Sequence, residues 1–224
     1  MQDEELVLEL RENNSQRLAC VLVLDCSSSM ADQNRIAFLN NGIKVLEEEL
    51  KKDPMAKRRV QIALVRCGGG VHVESMWTDA VNFSAPVLEA SGDTPLGRAS
   101  LEGLRLIEEQ IGRYKQNGIP YNRPWLFIMT DGGPNDPHWQ ESARLVREAA
   151  AAKKVIVYPI GVKGADLAAL SQFQKPGDEV WEIEGVNFGE LFKWLSRSAS
   201  TASVTAPGAP LQQEMPPATR TITA

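Results

Sequence analysis

Residues 18–30, LACVLVLDCSSSM, combine a short apolar run with a polar loop directly after it. The run Leu18–Leu24 has no polar interruption, which is typical of a strand buried on both faces of a parallel sheet. It stops at Asp25, and small polar residues follow. Apolar residues then recur at steps of three and four, as in an amphipathic helix, at Ile36, Leu39, Ile43, Leu46 and Leu50. The order strand, loop, helix predicts the first unit of an α/β fold.

The same alternation continues along the chain. The triplet Gly68-Gly69-Gly70 predicts a tight reversal, so the segment after it is expected to be an antiparallel edge strand. We therefore predict an α/β, Rossmann-like fold with a mostly parallel central sheet, one antiparallel edge strand and helices on both faces. The further predicted strands are Val60–Cys67, Trp125–Met129, Val155–Val162 and Glu179–Ile183, and the further predicted helices cover Leu101–Ile111, Trp139–Ala152, Asp166–Phe173 and Phe188–Ser198.

The chain of 224 residues has the length of one domain with short appendages. We assign the domain to residues 18–198 and an N-terminal extension to residues 1–17, where ELVLEL is compatible with a strand or a helix. Residues 199–224 are rich in Thr, Pro and Ala and have few large apolar side chains, so a disordered tail is predicted. Phosphorylation of the tail threonines and an unmodified tail both stay open.

Composition narrows the classes of partner. The net charge of −5 argues against nucleic acid, since nucleic-acid-binding domains usually carry a basic excess. The first residues do not have the pattern of a signal peptide, and no apolar run is long enough for a membrane span. The three cysteines show no paired spacing, which argues against a disulfide framework. A cytoplasmic protein is expected.

Oxygen-bearing side chains follow the predicted strands. Asp25, Ser27 and Ser29 form a D-x-S-x-S pattern, Thr94 lies in a mid-chain loop, and Asp131 follows the strand that starts at Trp125. In such sheets ligands bind outside the carboxyl ends of the strands, and alternate residues of an extended loop project to one side. Carboxylates and hydroxyls without His or thiolate favour Mg²⁺, with Mn²⁺ or Ca²⁺ as alternatives. An Asp or Glu carboxylate of a protein partner would complete the metal coordination.

Three motifs together resemble the metal-ion-dependent adhesion site of von Willebrand factor A (VWA) domains, over roughly residues 18–198. They are D-x-S-x-S-M at residues 25–30, T-P-L-G at residues 94–97 and T-D-G-x-P-x-D at residues 130–136. The resemblance implies that Asp25, Ser27, Ser29, Thr94 and Asp131 are the metal ligands. The sequence departs from the family at Ser28 and at Asp93, where the family usually has glycine, and Asp93 adds a carboxylate beside a ligand.

Within that family the sequence is most similar to bacterial TerY-type proteins. This similarity implies a role in tellurite resistance or stress response, with a Ser/Thr kinase and a PP2C-type phosphatase as possible partners. The predicted function is a divalent-metal-dependent protein–protein interaction module, not an enzyme, in a bacterial cytoplasmic stress or kinase–phosphatase signalling system. The alternative is a metal-assisted phosphoryl-transfer or hydrolytic enzyme, for which the sequence offers no positioned general base. A nucleotide-binding G-x-G-x-x-G is also missing after the first strand.

Two smaller predictions concern the loop after Asp131. Gly132 and Gly133 are expected to let it turn sharply, because glycine tolerates backbone angles that other residues avoid. Asp136 is expected to cap the helix that follows.

Overall fold

The structure is a computed structural model that describes residues 15–183, 188–205 and 219–223. The ELVLEL segment and residues 206–218 of the predicted tail lie outside the described residues.

The described residues form a seven-stranded sheet with the order β3-β2-β1-β4-β5-β6-β7. Strand β1 lies near its centre and pairs in parallel with β2 on one side and β4 on the other. Only β3 and β7, at the two edges, run antiparallel to their neighbours among these strands. The strands are β1 Leu18–Asp25, β2 Val60–Cys67, β3 Val71–Asp79, β4 Trp125–Thr130, β5 Ile156–Val162, β6 Glu179–Ile183 and β7 Thr219–Thr223.

Helices cover both faces of this sheet. A 3-10 helix, Ser28–Asn34, comes directly before the first α-helix. The α-helices are α1 Arg35–Lys52, α2 Ala56–Arg59, α3 Leu96–Gln116, α4 Trp139–Ala151, α5 Leu167–Ser171 and α6 Phe188–Val204. Within the described part of the chain, no helix combines the length and the apolar character needed to cross a membrane.

All eight residues of β1 are buried, because helices pack on both sides of the strand. Alternate side chains face opposite sides of a sheet, so one strand contributes to two cores. Leu22 and its neighbours at even positions pack in the cluster that includes α1 and α6. Val21 and Val23 pack in the cluster that includes α3 and α4. The predicted α/β fold, with the antiparallel β3 after the glycine triplet, is confirmed.

The C-terminal region differs from the predicted tail. Helix α6 continues past Ser198 to Val204, since Ala199 and Ala202 lie three residues apart and both are buried. Alanine is also the best helix former, so a Ser/Ala/Thr composition does not by itself end a helix. Residues Thr219–Thr223 add an antiparallel strand to β6. This segment, TRTIT, is rich in the β-branched residues that suit a strand.

Both ends of the folded unit lie at the amino edge of the parallel strands. The chain enters β1 at Leu18, and Gln16 Nε2 donates a hydrogen bond of 2.6 Å to the carbonyl of Thr205 after α6. At the end of β7, Thr223 pairs with Glu179, the first residue of β6. The loops that follow the parallel strands lie at the opposite edge.

Candidate metal centre

The first loop of the site starts at Asp25, the last residue of β1. Its Oδ1 accepts a hydrogen bond of 2.8 Å from the Ser27 N–H, and its Oδ2 accepts one from the Thr130 hydroxyl. Ser27 has an extended backbone, as predicted, but Ser29 lies within the 3-10 helix. The tight turn of that helix, rather than an extended loop, brings Ser29 Oγ to 3.1 Å from Ser27 Oγ.

Asp131 joins this loop from the neighbouring strand β4. Its Oδ1 accepts a hydrogen bond of 2.7 Å from Ser29 Oγ. Its Oδ2 accepts one of 2.6 Å from a guanidinium N–H of Arg35, the first residue of α1. Ser27, Ser29 and Asp131 thus form a continuous hydrogen-bonded chain, in which the bond between Ser29 and Asp131 joins residues 102 apart in sequence.

Thr94 is held between the other two loops by backbone hydrogen bonds. Its N–H donates to Asn135 Oδ1 at 3.0 Å, and its carbonyl accepts from the Asn135 N–H at 3.1 Å. Two residues earlier, the Gly92 carbonyl accepts a bond of 3.0 Å from the Ser28 N–H. Thr94 is buried, whereas Asp93 beside it is exposed. The structure therefore brings all five predicted site residues to one edge of the sheet.

The electrostatics of the site favour a bound cation. Burial raises the pKa of Asp25, and the nearby charge of Asp131 raises it further, although hydrogen bonds from Thr130 and Ser27 act in the opposite direction. A carboxylate removed from water is more stable beside a positive charge. Burial also raises the pKa of the Cys26 thiol to about 12. The Cys26 side chain is buried in the core cluster, and its Sγ donates a hydrogen bond of 3.7 Å to the Leu24 carbonyl, so the loop presents oxygen donors.

The donor set fits a hard divalent cation. It consists of two buried carboxylates and three hydroxyls, the kind of oxygen ligands that Mg²⁺, Mn²⁺ and Ca²⁺ accept. Among the residues described, no cluster of three or more His, Cys, Asp or Glu side chains is arranged to hold a metal. A divalent ion at this site would therefore have hydroxyl oxygens among its ligands.

The von Willebrand factor type A domain model matches residues 20–192, which is most of this chain. The chain belongs to the von Willebrand factor type A domain family. Among curated proteins, none matches the sequence significantly.

Solved structures share the VWA fold at low sequence identity. The pilus adhesin SpaC from Lactobacillus rhamnosus GG, in its open conformation, superposes with a TM-score of 0.61 at 13% identity, over 85% of this chain and 30% of that chain. Proximal thread matrix protein 1 from the mussel byssus, with zinc in its MIDAS motif, gives 0.52 at 17% identity, over 84% and 49%. Manganese-loaded TRAP protein from Plasmodium vivax gives 0.50 at 16%, over 72% and 63%. The chain thus spans about half or less of the first two of these chains.

The loop after Asp131 differs from both smaller predictions. Neither Gly132 nor Gly133 has a positive φ, so the turn does not depend on glycine's backbone freedom there. Asp136 caps a helix, but the helix is α3 rather than the following α4. Its carboxylate accepts from the N–H groups of Gly97 and Arg98 at 3.1 and 2.9 Å. The Asp136 side chain therefore ties the third loop of the VWA site to the helix that follows Thr94.

Sequence reasoning missed Arg35, Thr130 and Asn135 as parts of this VWA site. Thr130 and Asn135 lie inside the T-D-G-x-P-x-D motif, so their position carried a signal. Arg35 lies outside the three motifs, and its position in the sequence carried a weaker signal. A cation in the first turn of a helix meets the positive end of the helix dipole, which implies a compensating anion nearby.

We predict that Asp136→Ala lowers stability without removing the metal site. The change leaves two N–H groups at the start of α3 without their acceptor, and losing a cap costs about 1–2 kcal/mol. For a domain of this size, that is a fall of about 2–8 °C in Tm, measured by thermal unfolding. Asp136→Asn keeps one acceptor oxygen and should lose less. An unchanged Tm for Asp136→Ala would show that this cap is not stabilising.

Proposed function

We propose that this VWA domain is a divalent-metal-dependent protein–protein interaction module. The observation that carries the proposal is the convergence of Asp25, Asp131 and hydroxyl side chains, two of them hydrogen-bonded in series, at one edge of the sheet. Asp25, Ser27, Ser29, Thr94 and Asp131 would hold the ion. Mg²⁺ is the expected metal, with Mn²⁺ or Ca²⁺ as alternatives. The zinc in the MIDAS motif of one structural neighbour and the manganese in another support the proposal of a divalent ion.

The partner is proposed to be a protein that offers an Asp or Glu carboxylate. The bound metal would act as a Lewis acid that attracts this carboxylate. The proposed ligands include only two carboxylates, so a divalent ion held by them keeps the capacity to take a further anionic ligand. Ser28 and the rim residue Asp93 are exposed, so the loops are accessible to a partner surface.

The proposed cellular setting rests on the sequence resemblance and on the state of the cysteines. We propose a bacterial cytoplasmic stress or tellurite-resistance-like system, with a Ser/Thr kinase and a PP2C-type phosphatase as possible partners. The three cysteines are buried and free, which supports a reducing compartment.

Affinity capture tests the proposed function. We expect the wild-type chain, used as bait in a lysate of its source cells, to retain a partner protein with Mg²⁺ and to lose it with chelator. An Asp25→Ala bait should lose the same protein in the presence of Mg²⁺, because a buried carboxylate of the site is missing. Equal recovery of that protein with Mg²⁺, with chelator and by Asp25→Ala would mean that binding uses another surface.

The enzyme alternative has a separate test. Phosphatase and nucleotide-hydrolysis assays with Mg²⁺ should show no turnover that depends on the site. Turnover that is present in the wild type and vanishes in Asp131→Ala would contradict an interaction module and favour metal-assisted hydrolysis.

A further inference from the structure

One cation of the chain itself already contacts the candidate metal site. Arg35 forms an ion pair of 2.6 Å with Asp131 Oδ2, while Ser29 occupies Oδ1 of the same carboxylate. The Asp131 side chain is fully buried, and 18% of the Arg35 side chain is exposed. The guanidinium therefore lies at the boundary between the buried carboxylate and solvent.

The backbone departs from helical geometry directly before Arg35. Gln33 and Asn34, directly before Arg35, have φ values of +51° and +61°, a region that residues other than glycine seldom adopt. Arg35 then starts α1, where the helix dipole disfavours a positive charge. The helix dipole thus opposes a positive charge at this position, and the ion pair with Asp131 offsets that cost.

A divalent ion and this guanidinium would compete for the same carboxylate. Two positive charges within a few ångströms of each other repel strongly where little water screens them. An ion held by Asp131 must therefore displace Arg35 or bind against its charge. Because the side chain is partly exposed, it has a path into solvent.

We propose that Arg35 is an internal counter-ion that competes with the divalent metal for Asp131 and thereby lowers the affinity of the site for metal. The inference rests on the proposed function of the site. It means that the chain without metal keeps Asp131 neutralised, and that metal binding releases a guanidinium at the rim. A guanidinium at that point would favour a partner with a second carboxylate, since arginine binds carboxylates through paired hydrogen bonds.

The test is a Mn²⁺ titration of the full chain. Binding is measured by calorimetry and, independently, by the decrease of the paramagnetic resonance signal of free Mn²⁺. We expect Arg35→Gln to lower the Kd for Mn²⁺ by about tenfold, in the range typical of coupled sites. Arg98→Gln is the matched control. Arg98 also lies beside the third loop, with its Nε 3.9 Å from Asp136, but its side chain is 59% exposed and pairs with a different carboxylate. Its Kd should change by less than about twofold, because exposed charges are screened.

Each outcome decides between the inference and its alternatives. Equal or weaker Mn²⁺ binding by Arg35→Gln overturns the competition while leaving the metal site intact. An equal gain in both variants also overturns it, since net charge alone would then explain the effect. No binding by any form, wild type included, contradicts the proposed function itself. Arg35→Lys keeps the charge but not the planar guanidinium, so it serves as a second variant in case the neutral one does not fold. It should bind Mn²⁺ more tightly than the wild type, and a Kd equal to or above that of the wild type would contradict the competition.

Discussion

Asp25→Ala is expected to abolish the stabilisation that Mg²⁺ gives this VWA domain. A ligand that binds only the folded state at 100 times its Kd adds about 2.7 kcal/mol to the free energy of unfolding. In a domain of about 200 residues this corresponds to a rise of about 5–10 °C in Tm. Asp25 is 1% exposed and is held by hydrogen bonds from Ser27 and Thr130, so the substitution removes one of the two carboxylates proposed to hold the ion. The variant should show the same Tm with Mg²⁺ and with chelator.

Two further variants complete this experiment: one removes the charge of Asp25 but keeps its shape, and the other is a control outside the site. Asp25→Asn keeps the size of the side chain and an acceptor for the Ser27 N–H, so it should fold well and still gain nothing from Mg²⁺. Asp53→Asn is the control outside the site, because Asp53 accepts bonds from Met55 and Ala56 at the start of α2. It should gain as much from Mg²⁺ as the wild type. A normal Mg²⁺ response in Asp25→Ala would remove Asp25 from the ligand set.

Gly68→Ala is expected to distort the loop that carries Ser27, although Gly68 is not itself a proposed ligand. A Cβ on Gly68 would lie 2.3 Å from the Cys26 carbonyl oxygen and 2.9 Å from the Ser27 nitrogen. These are backbone atoms, so they cannot rotate away as a side chain can. The Cys26 carbonyl also accepts the Ser91 N–H at 2.7 Å, which links the first loop to the loop that carries Thr94. The backbone of Cys26 and Ser27 must therefore move to relieve the clash. This movement should shift Ser27 and also weaken the hydrogen bond between the Cys26 carbonyl and Ser91.

We expect Gly68→Ala to lose about 2 kcal/mol of stability, within the usual cost of overpacking, and most of its response to Mg²⁺. Thermal unfolding with Mg²⁺ and with chelator measures both effects. The matched control is Gly112→Ala in α3, where an added Cβ meets nothing within 4 Å. Alanine in a helix should raise stability by about 0.5–1 kcal/mol and leave the Mg²⁺ response unchanged. If Gly68→Ala responds to Mg²⁺ like the wild type, the loop tolerates the displacement and the argument from close packing is wrong.

The central sheet was predictable because its strands are buried on both faces. A continuous apolar run such as Leu18–Leu24 and the glycine triplet after β2 are local signals, and each was sufficient to place its element. The edge strand β7 was not predictable in this way, because the five-residue segment TRTIT has a pairing partner only once β6 has formed. The end of α6 was misplaced for a related reason, since the burial of Ala202 depends on tertiary packing.

In the candidate site too, some features were predictable from the sequence and others depend on tertiary contacts. Topology alone places Asp25 and Asp131 at one edge, because loops after parallel strands share it. The ion pair of Arg35 with Asp131 spans 96 residues and has no motif of its own. Asp136 was correctly identified as a capping residue, but its helix precedes it by 39 residues in sequence. Pairings of this kind depend on how the loops meet rather than on local pattern.

The position of Leu18 and Thr223 has a practical consequence for any assay of this domain. Leu18 and Thr223 both lie at the edge of the sheet opposite to Asp25 and Asp131. A biotin or fluorophore attached close to Leu18 or Thr223 would therefore anchor the molecule with its metal loops directed away from the support. Immobilisation on a sensor chip should leave those loops accessible to the analyte, and a fused fluorescent protein should not shield them.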